Sequence, residues 1–186
     1  MIAMKDKGMT LLELVIVISI IGILVVALGF QFAGWIDKYR VETQMSELYV
    51  DLMNARLRSM QRNRAHFVNL EQKQYTVQED IDPWPDGDTS LTAYDNNRPS
   101  GYNYPIPLVK KTLNSNNPIT WSNIRVTEIK FNQRGLANVN KTICVVTDND
   151  ADYDCLAISA TRIRFGRLSN KISDGGTCGS ENCVNK

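Results

Sequence analysis

The sequence contains a single histidine, His66, among 186 residues. It has no nucleophile motif, no glycine-rich phosphate loop and no common metal-ligand set, so an enzyme is not expected. No cysteine occurs before Cys144, and no proline lies between Met9 and Asp82. The first absence confines any disulfide framework to the last quarter of the chain. The second leaves a long N-terminal stretch free to be helical. Charge of one sign is also lacking: the formal net charge is +1. No global field therefore draws the chain toward nucleic acid or acidic partners, and any such binding needs a local patch. The last absence is local, since residues 14–36 carry no charged side chain.

What is present fits a folded domain on an apolar tether. Charged residues make up 22% and apolar residues 43% of the chain, values of a globular protein rather than a disordered one. As a helix, residues 14–36 would be about 35 Å long, enough for a bilayer core of roughly 30 Å. Lys5 and Lys7 precede the run, which keeps the N-terminus cytoplasmic and translocates the rest. One reading is a secretory signal cleaved at Ala27-Leu28-Gly29, and another is a plain membrane anchor. Neither gives Glu13 a task. A carboxylate within a membrane costs about 2.5–3.5 kcal/mol on insertion scales, less near an edge.

A third reading uses Gly8 and Glu13 together. The run Gly8-Met9-Thr10-Leu11-Leu12-Glu13 resembles the processing motif of type IV pilins and type II secretion pseudopilins. The resemblance implies cleavage after Gly8 by a prepilin peptidase and N-methylation of Met9, where the family usually has phenylalanine. It gives Glu13 an assembly role as the fifth residue of the mature chain. A carboxylate four residues from a new, charged amine can neutralise it in apolar surroundings, within the chain or on a neighbour. Left unpaired, either charge would be strongly disfavoured there.

Beyond the tether, Val41, Met45, Leu48, Leu52 and Ala55 recur at steps of four and three, one face of an amphipathic helix. A near-continuous helix from about Thr10 to about Arg62 is expected, with this stripe packed on the domain's own sheet. "AHFVNL" and "QYTVQ" read as a hairpin across Glu71-Gln72-Lys73. Residues 80–118, rich in Pro, Asp, Asn, Ser and Gly, read as loop, with a strand in "IPLVKKTL". "NIRVTEIKFN" reads as a strand followed by a turn at Gln133-Arg134-Gly135. "KTICVVT" and "YDCLAISA" read as a second hairpin around "DNDAD", with "TRIRFGRL" continuing its last strand and the rest a loop tail.

"ARLRSMQRNR", the "KFNQRG" turn and the terminal "ISATRIRFG" resemble the GspH/FimT-type minor pilins and pseudopilins, with Thr161 where that group has glycine. The fold class expected is α+β: a long N-terminal helix, transmembrane then amphipathic, packed on a small antiparallel β-sheet domain, the type IV pilin fold. The organisation expected is a leader over 1–8, a transmembrane and filament-core helix over 9–36, an amphipathic helix over 37–64 and a β-rich periplasmic domain over 65–186.

Three constellations remain. Cys144, Cys155, Cys178 and Cys183 fit disulfides in an oxidising compartment better than zinc, because their spacings match no common zinc pattern. A hairpin turn between Asn149 and Asp150 sets Cys144 opposite Cys155 and sends Ile143, Val145, Leu156 and Ile158 to the core face. A Cys144–Cys155 bond with Cys178–Cys183, or either crosswise pairing, remains open. Asp148, Asp150, Asp152 and Asp154 alternate as at the start of a calcium loop, but the glycine and distal glutamate of an EF-hand are missing. Calcium is the one candidate cofactor, against a solvated acidic turn. Arg162 and Arg164 share a strand face. With Arg167 and the helix-end Arg56, Arg58, Arg62 and Arg64 they form a candidate basic patch. The FimT resemblance implies DNA binding there, through salt-dependent phosphate contacts. The three tryptophans and the loop tyrosines fit a small core better than a ligand surface.

The function expected is a structural subunit of a type IV pilus or type II secretion filament. Its partners would be other pilin-like subunits, the prepilin peptidase, the inner-membrane assembly platform and the membrane itself. The alternative is a DNA- or surface-binding receptor at the filament tip.

Overall fold

The structure, a computed structural model, describes residues 9–81, 87–91 and 108–184, without the side chains of residues 28–33. Gly8 and the rest of the expected leader lie outside the described residues, as does most of the expected long loop. The chain divides into two compact units, Met1–Asp37 and Lys38–Lys186.

Helix α1 spans Leu11–Arg62 and contributes to both units. Its start has a chemical cause: Thr10 Oγ1 accepts the Glu13 N–H at 3.2 Å, an N-cap that satisfies one orphan donor. Its end has one too. Asn63 takes a left-handed conformation (φ 51°), and the Arg64 N–H returns to the Ser59 carbonyl at 3.2 Å.

In the first unit, the described side chains from Leu11 to Val26 are exposed, apolar ones included. Ser19 interrupts them without leaving a free donor, because its hydroxyl donates to the Val15 carbonyl at 2.8 Å. Among the described residues no helix is long and apolar enough to cross a membrane. The uncharged sequence continues through residues 28–33, whose side chains lie outside the description.

In the second unit, α1 buries the expected stripe. Val41, Met45, Leu48, Leu52 and Ala55 are all at most 1% exposed. They pack against two antiparallel sheets. The first has the order β3-β2-β1-β5, from Val109–Thr112, Gln74–Glu79, His66–Glu71 and Glu128–Phe131. The second has the order β4-β6-β7-β8-β9, from Ile119–Trp121, Lys141–Val145, Cys155–Ile158, Ile163–Leu168 and Cys183–Val184. One core joins helix and sheets through Val68, Leu70, Tyr75, Ile129, Phe131, Ile143, Leu156 and Ile158. The molecule thus has a long N-terminal helix packed on antiparallel β-sheets.

The β1–β2 hairpin closes at Glu71↔Gln74 over the expected turn. Four strands depart from expectation. "TRIRFGRL" does not prolong β7. The chain reverses at residues 159–162, where the Ser159 N–H meets the Arg162 carbonyl at 2.8 Å, and returns as β8, Ile158 facing Ile163. Only Glu128–Phe131 of "NIRVTEIKFN" is strand, because residues 123–126 form a turn capped by Asn123 Oδ1. β4 and β9, absent from the sequence reading, are pieces of three and two residues that carry no periodicity of their own.

Candidate functional site

The N-terminal motif contributes Met9, Thr10 and Glu13 to the described residues. Thr10-Leu11-Leu12-Glu13 is also the T-x-x-E of a capping box, a signal legible in the sequence that the motif reading passed over. Glu13 sits in the first helical turn, where a carboxylate is favoured by the positive end of the helix dipole.

The second candidate region is the outer face of the second sheet. Cys144 and Cys155 are register partners, and the residues flanking them point into the core as expected. The disulfides are crosswise: Cys144–Cys178 and Cys155–Cys183. The tail beyond β8 is thereby tied over the sheet's outer face. There Cys144, Cys155, Leu168 and Cys183 are buried in a small second core, with Ala157, Ile172 and Cys178 at its edge. The sequence could not choose this pairing, because neighbouring register positions allow all three.

Asp154 locks the same tail. It is fully buried, accepts the Leu168 N–H at 2.7 Å and pairs with Lys171 Nζ at 2.6 Å. Two other aspartates of the turn face different cations: Asp150 meets Arg167, and Asp152 meets Lys38 at 3.3 Å. Among the described residues no three acidic, histidine or cysteine side chains converge on a point that could hold a metal ion.

The candidate basic patch divides. Arg56 donates to the Thr161 carbonyl at 2.7 Å. Arg62 and Arg64 both hold the buried Glu79, at 2.7 and 3.2 Å. Beside that cluster lies His66, fully buried, with Nδ1 3.3 Å from the Arg64 carbonyl. Burial pushes its pKa below the usual 6.5. The Arg64 carbonyl and Glu79 oppose that shift, and Arg62 and Arg58 reinforce it. Arg162 and Arg164 are placed differently. Both are exposed and line a cleft of about 600 Å³ on the sheet's outer face. Thr142, Ala157, Ser122, Asn140, Lys141 and the tail's Ser180 and Glu181 are among its lining residues, the Lys141 ammonium donating to the Val126 and Glu128 carbonyls. Neither guanidinium has a hydrogen-bond or ion-pair partner among the described residues.

Comparison with known proteins gives a family match over residues 3–29, described as "Prokaryotic N-terminal methylation motif". No curated protein matches the chain. Two crystal forms of the type IV minor pilin FimU of Pseudomonas aeruginosa are similar in structure. One is 16% identical with a TM-score of 0.49, over 69% of this chain and 90% of that one. The other is 20% identical with a TM-score of 0.46, over 67% and 90%. The chain carries the prokaryotic N-terminal methylation motif at the head of a helix that leads into an antiparallel β domain.

Proposed function

We propose that the chain is a minor pilin or pseudopilin, a structural and non-enzymatic subunit of a type IV pilus or a type II secretion filament. The observation that carries this is the methylation motif over the start of a helix whose described side chains from Leu11 to Val26 are exposed, apolar ones included. Such a surface needs an apolar solvent or close neighbours. Residues 1–8 are the leader, removed after Gly8 before Met9 is methylated. Residues 9–36 sit first in the inner membrane and then in the filament core. Residues 37–64 are the amphipathic half of the helix, and residues 65–186 form the periplasmic and later surface domain. The partners are other pilin-like subunits, the prepilin peptidase and the inner-membrane platform.

The capping geometry separates two roles of the motif. Glu13→Gln removes the charge while leaving the Thr10 cap intact, so leader removal should persist and filament assembly should fail. Thr10→Ala should cost about 1 kcal/mol of helix stability and leave assembly largely intact. A Gly8→Leu chain should keep its leader and fail to assemble. Normal filaments from that variant, seen by electron microscopy, would refute the proposal.

A second reading has a specific observation behind it: the guanidiniums of Arg162 and Arg164 lie in a cleft without a partner among the described residues. They suit a subunit that also binds an anionic ligand at the filament tip, DNA being the ligand that the FimT resemblance implies. Salt-sensitive retention of DNA by the purified chain, lost in Arg162→Gln/Arg164→Gln, is the test.

A further inference from the structure

We propose that the cleft formed where the disulfide-tied tail overlies β6, β7 and β8 binds a uronate-type saccharide unit, the carboxylate-bearing sugar of an acidic polysaccharide. The inference rests on the ligand-binding reading above and replaces its ligand. Its starting point is that the site is walled on two sides. Thr142, Ala157 and Arg164 lie in one register row across the sheet, and Arg162 follows on the same face of the chain. Opposite them stand Gly179, Ser180 and Glu181, held in place by the Cys144–Cys178 bond. The enclosed volume of about 600 Å³ falls in the range of small-molecule sites, roughly 300–1,000 Å³.

The lining chemistry selects the ligand. Two guanidiniums take carboxylates, each able to do so in a two-point fork. Ser122, Asn140 and Ser180 bring hydroxyl and amide groups that can both donate and accept, as sugar hydroxyls require. Glu181 is an acceptor for ligand hydroxyls. Ala157 and the Thr142 methyl offer an apolar floor to the C–H face of a ring.

The same features argue against nucleic acid. Among the described residues no aromatic lines the cleft for bases to stack on. The basic track that a duplex backbone would follow is broken as well, because Arg56, Arg62 and Arg64 are engaged elsewhere.

The test uses the full chain purified in detergent, with calorimetric titration of a short oligogalacturonate, its fully methyl-esterified form and single-stranded DNA. The oligogalacturonate should bind, and the ester should bind at least about tenfold more weakly. Arg162→Gln/Arg164→Gln should lose about tenfold or more in affinity with an unchanged melting temperature. Arg58→Gln, on an exposed arginine outside the cleft, should change nothing. Single-stranded DNA should neither bind with the saccharide's affinity nor displace it. Equal binding of the ester, or displacement by DNA, would overturn the saccharide assignment and leave an anion-binding subunit standing. Binding of neither polymer would overturn both.

Discussion

Single residues in this protein do different work from what their sequence neighbourhood suggests. Asp154 ends an acidic run that reads as solvated turn or calcium loop, yet it is fully buried and tied to Lys171 and the Leu168 amide. Asp154→Ala would strand Lys171 and the amide. A loss of about 3–5 kcal/mol in a denaturant titration is expected. Tyr75 is comparable: its hydroxyl donates to Asp51 at 2.6 Å inside the helix–sheet contact, and burial with that carboxylate pushes its pKa upward. Tyr75→Phe should cost about 1.5–3 kcal/mol, because Asp51 loses a charge-assisted bond while Lys111 remains 3.2 Å away. His66 sets a pH dependence. Its folded pKa lies below the unfolded 6.5, so the unfolded chain binds more protons once the pH falls through that value. Its stabilising contribution should be complete above pH 6.5 and be lost on acidification toward the folded value. Melting curves between pH 7 and pH 5 should show that slope, and His66→Gln should flatten it.

At the scale of elements, the two halves of α1 differ in what their side chains meet. The 41–55 stripe is core, which the four-and-three spacing of Val41, Met45, Leu48, Leu52 and Ala55 specifies directly. β8 shows the opposite case, a strand shaped by what passes over it. A Cβ at Gly166 would lie 2.6 Å from Cys183 Sγ, 2.9 Å from the Val184 carbonyl oxygen and 3.1 Å from Cys155 Sγ. Two of these are crowded by a neighbouring strand and a cystine, so little can give way. Gly166→Ala should therefore disturb the β8–β9 pairing and raise the fraction of chains with Cys183 unpaired, countable by thiol labelling. Gly135 is constrained by backbone instead: its φ of 71° closes the turn after β5, where side chains other than glycine are strained.

For the whole molecule, the cystines decide how the C-terminal tail is used. Cys155–Cys183 closes a span of 28 residues and Cys144–Cys178 one of 34. Chain-entropy reasoning gives each about 3–4 kcal/mol. Cys144→Ser/Cys178→Ser should lower the unfolding free energy by about that amount. It should also loosen the wall that carries Glu181, so saccharide binding in the cleft should weaken even where the sheet stays folded. The tail's small core of Leu168, Ile172 and cystine sulfurs is too modest to hold it alone.

By itself the sequence determined the features that arise from neighbours along the chain. These are the N-terminal methylation motif, the helix to Arg62, the buried stripe at 41–55, the β1–β2 hairpin, and the facing of Cys144 with Cys155. Each rests on local periodicity or a short pattern, which the chain writes out in order. Tertiary structure alone decided the rest. It turned "TRIRFGRL" into a separate strand, because the reversal at Ser159 is made by a local hydrogen bond without glycine or proline to announce it. It recruited β4 and β9, whose pairing energy comes from strands far away in sequence. It chose the crosswise disulfides, because which sulfurs meet depends on where the tail crosses the sheet. It also divided the arginines into those spent on Glu79 and Thr161 and the two left facing the cleft, since a charge's partner is fixed by space and not by sequence distance.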